Sequence, residues 1–91
     1  MGENTHVREP VVRHAQSTGW LARRLVMLNR CGYPDTTFMK NGVVVLMEFK
    51  DVDGELSMLQ EREIAKLRKA GMTVYVTDDV RAACAILDSA A

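Results

Sequence analysis

The sequence predicts an α/β fold in which a mixed central sheet carries helices on both sides, and three observations lead there. An Asn41-Gly42 pair between two extended runs marks a two-residue hairpin turn. Val43 to Met47 is apolar without interruption, the pattern of a central strand covered on both faces. A capping pattern at Ser57 and Gln60, followed by a β-branched run from Met72 to Val76, marks a β-α-β crossover after the hairpin.

The elements follow in order. Val7, Val11, His14 and Ala15 recur at helical spacing, and Gly19 supplies a stop. Pro10 fits that helix only in a first turn beginning around residues 6 to 9, so a late start or a kink is expected. Residues 20–28 read as a strand, with Leu21, Arg23, Leu25 and Met27 on one side and Trp20, Ala22, Arg24, Val26 and Leu28 on the other. A turn-rich stretch, residues 29–34, leads to a short strand from Asp35 to Met39, then the hairpin, then a strand from Val43 to Lys50. After the polar loop 51–55, Ser57 opens a helix that runs to Gly71 with its apolar stripe at Leu56, Ile64 and Leu67. The strand Met72 to Val76 follows, and Thr77 or Asp78 caps a last helix whose inner face is Val80, Ala83, Cys84 and Leu87. The order is α-β-β-β-α-β-α.

Ninety-one residues make one domain, 1–91, with a single core. A content of 47% hydrophobic and 26% charged residues with two prolines describes a folded globule rather than a disordered tail. No apolar run approaches the ~20 residues of a membrane helix, and no export signal opens the chain, so a cytoplasmic location and no membrane partner are expected. Cys31 and Cys84 suggest neither a zinc site nor a disulfide framework, and His6 and His14 do not complete one; a metal here would be a hard ion held by carboxylates. The net charge is zero, which speaks against nucleic acid, but residues 1–34 hold five arginines against two glutamates. The whole-chain balance therefore conceals a basic first third.

The chemistry gathers at the end of the third strand. Val44, Leu46, Glu48 and Lys50 share one face, which sets a carboxylate and an ammonium side by side where a central strand ends. Counting outward from the turn pairs Met39 with Val44 and Asp35 with Glu48. Two acids roughly 5 Å apart on neighbouring strands repel unless a cation lies between them. A divalent ion fills that role, with Lys50 positioned to orient or deprotonate an attacking water. An ion pair where a strand surfaces accounts for Glu48 and Lys50 alone, but not for Asp35.

Pro34-Asp35 and Glu48-Phe49-Lys50, with twelve residues between the two acids, form a PD-(D/E)xK signature. Together with Gly32-Tyr33, Val43 to Lys50, Gly54 to Gln60 and Leu67 to Val76, the chain resembles the stand-alone virus-type replication-repair nuclease (VRR-NUC) domain. The resemblance covers essentially the full length. It implies a restriction-endonuclease-like core, with Asp35, Glu48 and the backbone carbonyl of Phe49 as metal ligands, Lys50 as the catalytic lysine and Gln60 as a helix glutamine facing the site. The family's first-helix acid corresponds to Glu3 or Glu9. Glu3 lies sixteen residues before Gly19, near the family spacing, and Glu9 ten. A helix running back along the first strand brings Glu3 about 9 Å nearer the active end than Glu9.

These observations lead to a Mg²⁺- or Mn²⁺-dependent DNA endonuclease with phosphate contacts from Arg8, Arg13, Arg23, Arg24 and Arg30. The resemblance implies branched DNA such as a four-way junction and phage or prophage replication and repair; one domain presents one site, so a homodimer is expected for cutting two strands. The alternatives are a catalytically silent DNA-binding subunit of the same fold and a protein that binds no nucleic acid, as its zero net charge would have it. Two residues keep simpler explanations: a capping box accounts for Gln60, and a solvated strand end accounts for Arg24.

Overall fold

The computed structural model describes residues 5–24, 34–50 and 54–91. Within them lie α1 (Thr5–Ser17), β1 (Leu21–Arg23), β2 (Thr36–Lys40), β3 (Val43–Phe49), α2 (Met58–Lys69), β4 (Thr73–Thr77) and α3 (Val80–Ala90). This is the expected α-β-β-β-α-β-α order.

The strands form one sheet in the order β1-β2-β3-β4, antiparallel except for the parallel β3–β4 pair. Parallel neighbours need a crossover, and α2 provides it. The hairpin is built as its sequence demands. Asn41 and Gly42 have φ of 52° and 80°, the left-handed values of a two-residue primed turn. Its register pairs Met39 with Val44 and Thr36 with Met47, so Asp35, just before the ladder, lies level with Glu48.

Alternation along β3 divides the interior into two layers. Val45, Met47 and Phe49 pack with Val11, Ala15 and Trp20 at α1 and with Ala83 and Leu87 of α3. Leu46 points the other way, onto Ile64 of α2 and Val74 of β4, with Val44, Leu67 and Val76 at the margin. A strand buried on both faces has no polar side to spare, which is why its first five residues are all apolar. Glu48, two positions after Leu46, follows on the α2 side.

Apart from shifts of one or two residues at the ends of β2, β3, α2 and β4, three boundaries differ from expectation. The first helix does not start late: it is already formed at Thr5 and runs through Pro10, which offers no N–H to the carbonyl of His6. Burial of Val7, Val11 and Ala15 along one stripe favours helix on both sides of the proline. The strand expected over 20–28 spans only Leu21–Arg23 among the described residues, with Arg24 outside it and 25–28 beyond them. The cap of α3 is neither Thr77 nor Asp78 but Asp79, whose carboxylate accepts from the Arg81 N–H at 2.9 Å. Thr77 stays in β4 opposite Phe49, and its hydroxyl accepts from the Asp79 N–H.

Among the described residues no helix is long and apolar enough to cross a membrane.

Candidate active site

β3 ends with Glu48 buried at 5% exposure on the α2 side of the sheet. One carboxylate oxygen, Oε2, accepts from Gln60 Nε2 at 2.9 Å. The other, Oε1, is buried with no hydrogen-bond partner. The pKa of this group is raised from 4.5 to about 7, chiefly by burial and then by the negative charge of Asp35, with a backbone hydrogen bond at Asp35 offsetting part of the rise. An orphaned, desolvated carboxylate facing a second acid is the environment that a cation relieves.

Asp35 sits at the bend before β2 and reaches across the end of β3, where its Oδ2 accepts from the Phe49 N–H at 3.2 Å. The Phe49 side chain is buried in the layer beneath α1 and α3, which pins the backbone of the Glu48-Phe49-Lys50 segment. The Lys50 N–H donates to the Thr77 carbonyl at 3.0 Å, and Lys50 Nζ lies 3.5 Å from Asp78 Oδ2. Asp78 therefore belongs to the site's surroundings rather than to a helix cap. No local pattern signalled it, because the contact joins β3 to the turn after β4.

Gln60 closes a capping box and also reaches Glu48. Its Oε1 accepts from the Ser57 N–H at 2.8 Å while its own N–H donates to Ser57 Oγ at 3.1 Å, a full capping box. Its amide nitrogen is left for Glu48. A glutamine used this way is fixed at both ends of its amide.

Thr37 is a second buried polar residue on the same face of the sheet, missed by the sequence reading. It pairs with Leu46, so it lies diagonal to Glu48 and two residues from Asp35. Its hydroxyl, like Glu48 Oε1, has no hydrogen-bond partner.

The arginines divide between the two sides of the sheet. Arg8, on α1, donates from Nε to Thr36 Oγ1 at 2.9 Å, which holds the guanidinium next to the residue that follows Asp35. Arg13 is 71% exposed on the same helix and 4.0 Å from Glu9. Arg23 pairs with Thr37 in register and is exposed on the α2 side, and Arg24 is exposed just past β1. The basic first third is therefore not one flat face. Glu3, Arg30 and Cys31 lie outside the described residues. Glu9, the other first-helix acid, is exposed beside Arg13. No cluster of three or more His, Cys, Asp or Glu side chains with metal-site geometry occurs among the described residues.

His14 and the Cys84 thiol have structural settings. His14 Nε2 meets Asp88 Oδ1 at 2.7 Å, tying α1 to α3, and Cys84 is half-buried against the core.

No model of a known protein family matches the chain, and no curated protein matches it. Among solved structures, one described as a "VRR_NUC domain" matches with a TM-score of 0.82 and 26% identity, covering 92% of this chain and 92% of that one. The expected fold is the fold found.

Proposed function

We propose that this chain, a VRR-NUC domain and so a domain of nuclease type, is a metal-dependent endodeoxyribonuclease whose active centre is the group around Asp35, Glu48 and Lys50. The observation that carries the reading is the pair of acids level with each other on β2 and β3, one of them buried with an unpartnered oxygen. That donor set fits a hard divalent ion, Mg²⁺ or Mn²⁺, held by Asp35 and Glu48 with the carbonyl of Phe49. When bound, such an ion supplies electrostatic stabilisation of the charge that builds on the phosphate as water attacks it.

The protein's own groups do the rest. Gln60 fixes Glu48, so the carboxylate meets its ligand in one orientation. The Phe49 N–H holds Asp35 across the strand end. Lys50, reaching from the residue after β3, orients the attacking water and neutralises the scissile phosphate, and Asp78 holds its ammonium meanwhile. Glu3 is the first-helix acid of the family pattern and completes the acidic set. Arg8, Arg13, Arg23, Arg24 and Arg30 contact the DNA backbone.

The substrate in this reading is branched DNA such as a four-way junction, processed during phage or prophage replication and repair in the host cytoplasm. Symmetric incision of two strands calls for two sites, and a homodimer supplies them.

The test separates cutting from binding. Wild type and Asp35→Asn are incubated with labelled junction, duplex and single-stranded DNA, and binding is followed in parallel. The reading expects metal-dependent cleavage of the junction by the wild type and binding without cleavage by the variant. Equal binding and no cleavage by either protein makes the chain a silent DNA-binding subunit.

A further inference from the structure

Two side-chain oxygens are buried without a hydrogen-bond partner among the described residues, Thr37 Oγ1 and Glu48 Oε1. They lie on the same face of the sheet, on adjacent strands. Thr37 faces Leu46 across the β2–β3 ladder, and Glu48 is the next residue on that face of β3. Asp35 is the preceding residue on that face of β2. Leaving a buried hydroxyl or carboxylate oxygen unpaired is costly, and more so when it is charged. Two such groups on one diagonal of the same face can share a single partner between them.

We propose that Thr37 is a positioning residue of the cation site. Its hydroxyl and Glu48 Oε1 hold one ordered water between them, which fixes the second oxygen of Glu48 as Gln60 fixes the first. A buried water needs two to four polar partners, and Thr37, Glu48 and Asp35 supply that number on one face. Threonine suits the place for a specific reason: its methyl group fills space in a buried strand while its hydroxyl both donates and accepts. The carboxylate is then held from both sides, and the ion meets a pre-set ligand instead of a mobile one. Groups of this kind, behind the ligands, change metal affinity by roughly 10–100-fold when removed.

This inference rests on Asp35 and Glu48 being the cation ligands, and the experiment separates the two. Mn²⁺ is titrated by calorimetry into the full chain in its wild-type, Thr37→Val, Thr37→Ser and Glu48→Gln forms, with thermal melting of each recorded without metal. Thr37→Val is expected to weaken Mn²⁺ about tenfold while still melting in one cooperative transition, so that the lost affinity is not a loss of folding. Thr37→Ser is expected to bind Mn²⁺ within about twofold of wild type, since it keeps the hydroxyl. If Thr37→Val binds as wild type while Glu48→Gln does not, the role of Thr37 is overturned and the cation site stands. If Glu48→Gln also binds as wild type, the cation site itself falls, and the role of Thr37 with it. A lower melting temperature in Thr37→Val with unchanged affinity shows an ordinary structural threonine and overturns the proposal.

Discussion

Gln60 Nε2 donates to Glu48 Oε2 at 2.9 Å, while Gln60 Oε1 accepts from the Ser57 N–H at 2.8 Å. One amide thus closes the first turn of α2 and orients a buried carboxylate at the end of β3. The start of the crossover helix and the acidic end of the central strand are set by the same side chain, so the fold and the site share a part.

That sharing can be separated by mutation. Ser57→Ala removes half of the capping box and is expected to lower stability by about 1 kcal/mol, leaving the Glu48 contact in place. Gln60→Ala removes the other half and also releases Glu48, so it is expected to cost a similar amount of stability and to weaken Mn²⁺ binding roughly tenfold. Urea denaturation and calorimetry read the two effects. Equal Mn²⁺ affinity in both variants would show that Gln60 is a cap and no more.

Glu48 gives the metal-free protein a pH dependence of definite sign. Its pKa rises from 4.5 to about 7 on folding, chiefly through burial and then through Asp35. A folded state that holds the proton more tightly is favoured by low pH. The contribution of this group is full below pH 4.5 and is lost as pH rises through 7. Denaturation of the metal-free chain between pH 5 and about 8 is expected to show this decline, and Glu48→Gln is expected to flatten it. Mn²⁺ binding runs the opposite way, strengthening over the same interval as the competing proton leaves. A metal affinity that is flat across the interval contradicts the assignment of Glu48.

The arginines differ in what they can do for DNA. Arg8 is held by Thr36 beside Asp35, whereas Arg13 is 71% exposed near Glu9. A pre-positioned guanidinium contacts phosphate without first losing side-chain freedom. Arg8→Gln is therefore expected to reduce the salt slope of DNA binding by about one and to weaken binding to every sequence alike. Arg13→Gln is expected to have a smaller effect. Fluorescence anisotropy over a range of salt concentrations measures both, and the reverse order contradicts the account.

Gly42 supplies a control far from the chemistry. It lies at the turn end of the β2–β3 hairpin, opposite to Asp35 and Glu48, with φ of 80° and open space where a Cβ would go. Gly42→Ala is expected to cost about 1 kcal/mol through the backbone alone, with Mn²⁺ affinity unchanged. A loss of affinity in this variant would mean that hairpin strain reaches the site.

Local patterns made much of this legible. Asn41-Gly42 set the hairpin register, so the pairing of Met39 with Val44 follows from counting, and so does the level placement of Asp35 and Glu48. The alternation along β3 separated Leu46 from Val45 and Met47 as it does in the fold. What stayed hidden depends on contacts between distant segments. The pairing of Lys50 with Asp78 needs the β3–β4 neighbourhood, and once Asp78 turns to Lys50, the cap of α3 passes to Asp79. Thr37 looks like any strand threonine until its burial beside Glu48 is known. Pro10 argued against a helix at Thr5 by local rules, and the buried stripe of α1 outweighs it. The arginine count showed a basic segment but not its division between α1 and the opposite side of the sheet.

The most direct test of the central claim is cleavage of a labelled four-way junction by the wild type and by Lys50→Ala, each with Mg²⁺, with Mn²⁺ and with EDTA. The account predicts product from the wild type with either metal, none with EDTA, and at least a hundredfold less (about two orders of magnitude, the scale of a lost general acid or base) from Lys50→Ala. Cleavage that survives EDTA, or that Lys50→Ala performs as well as the wild type, contradicts it.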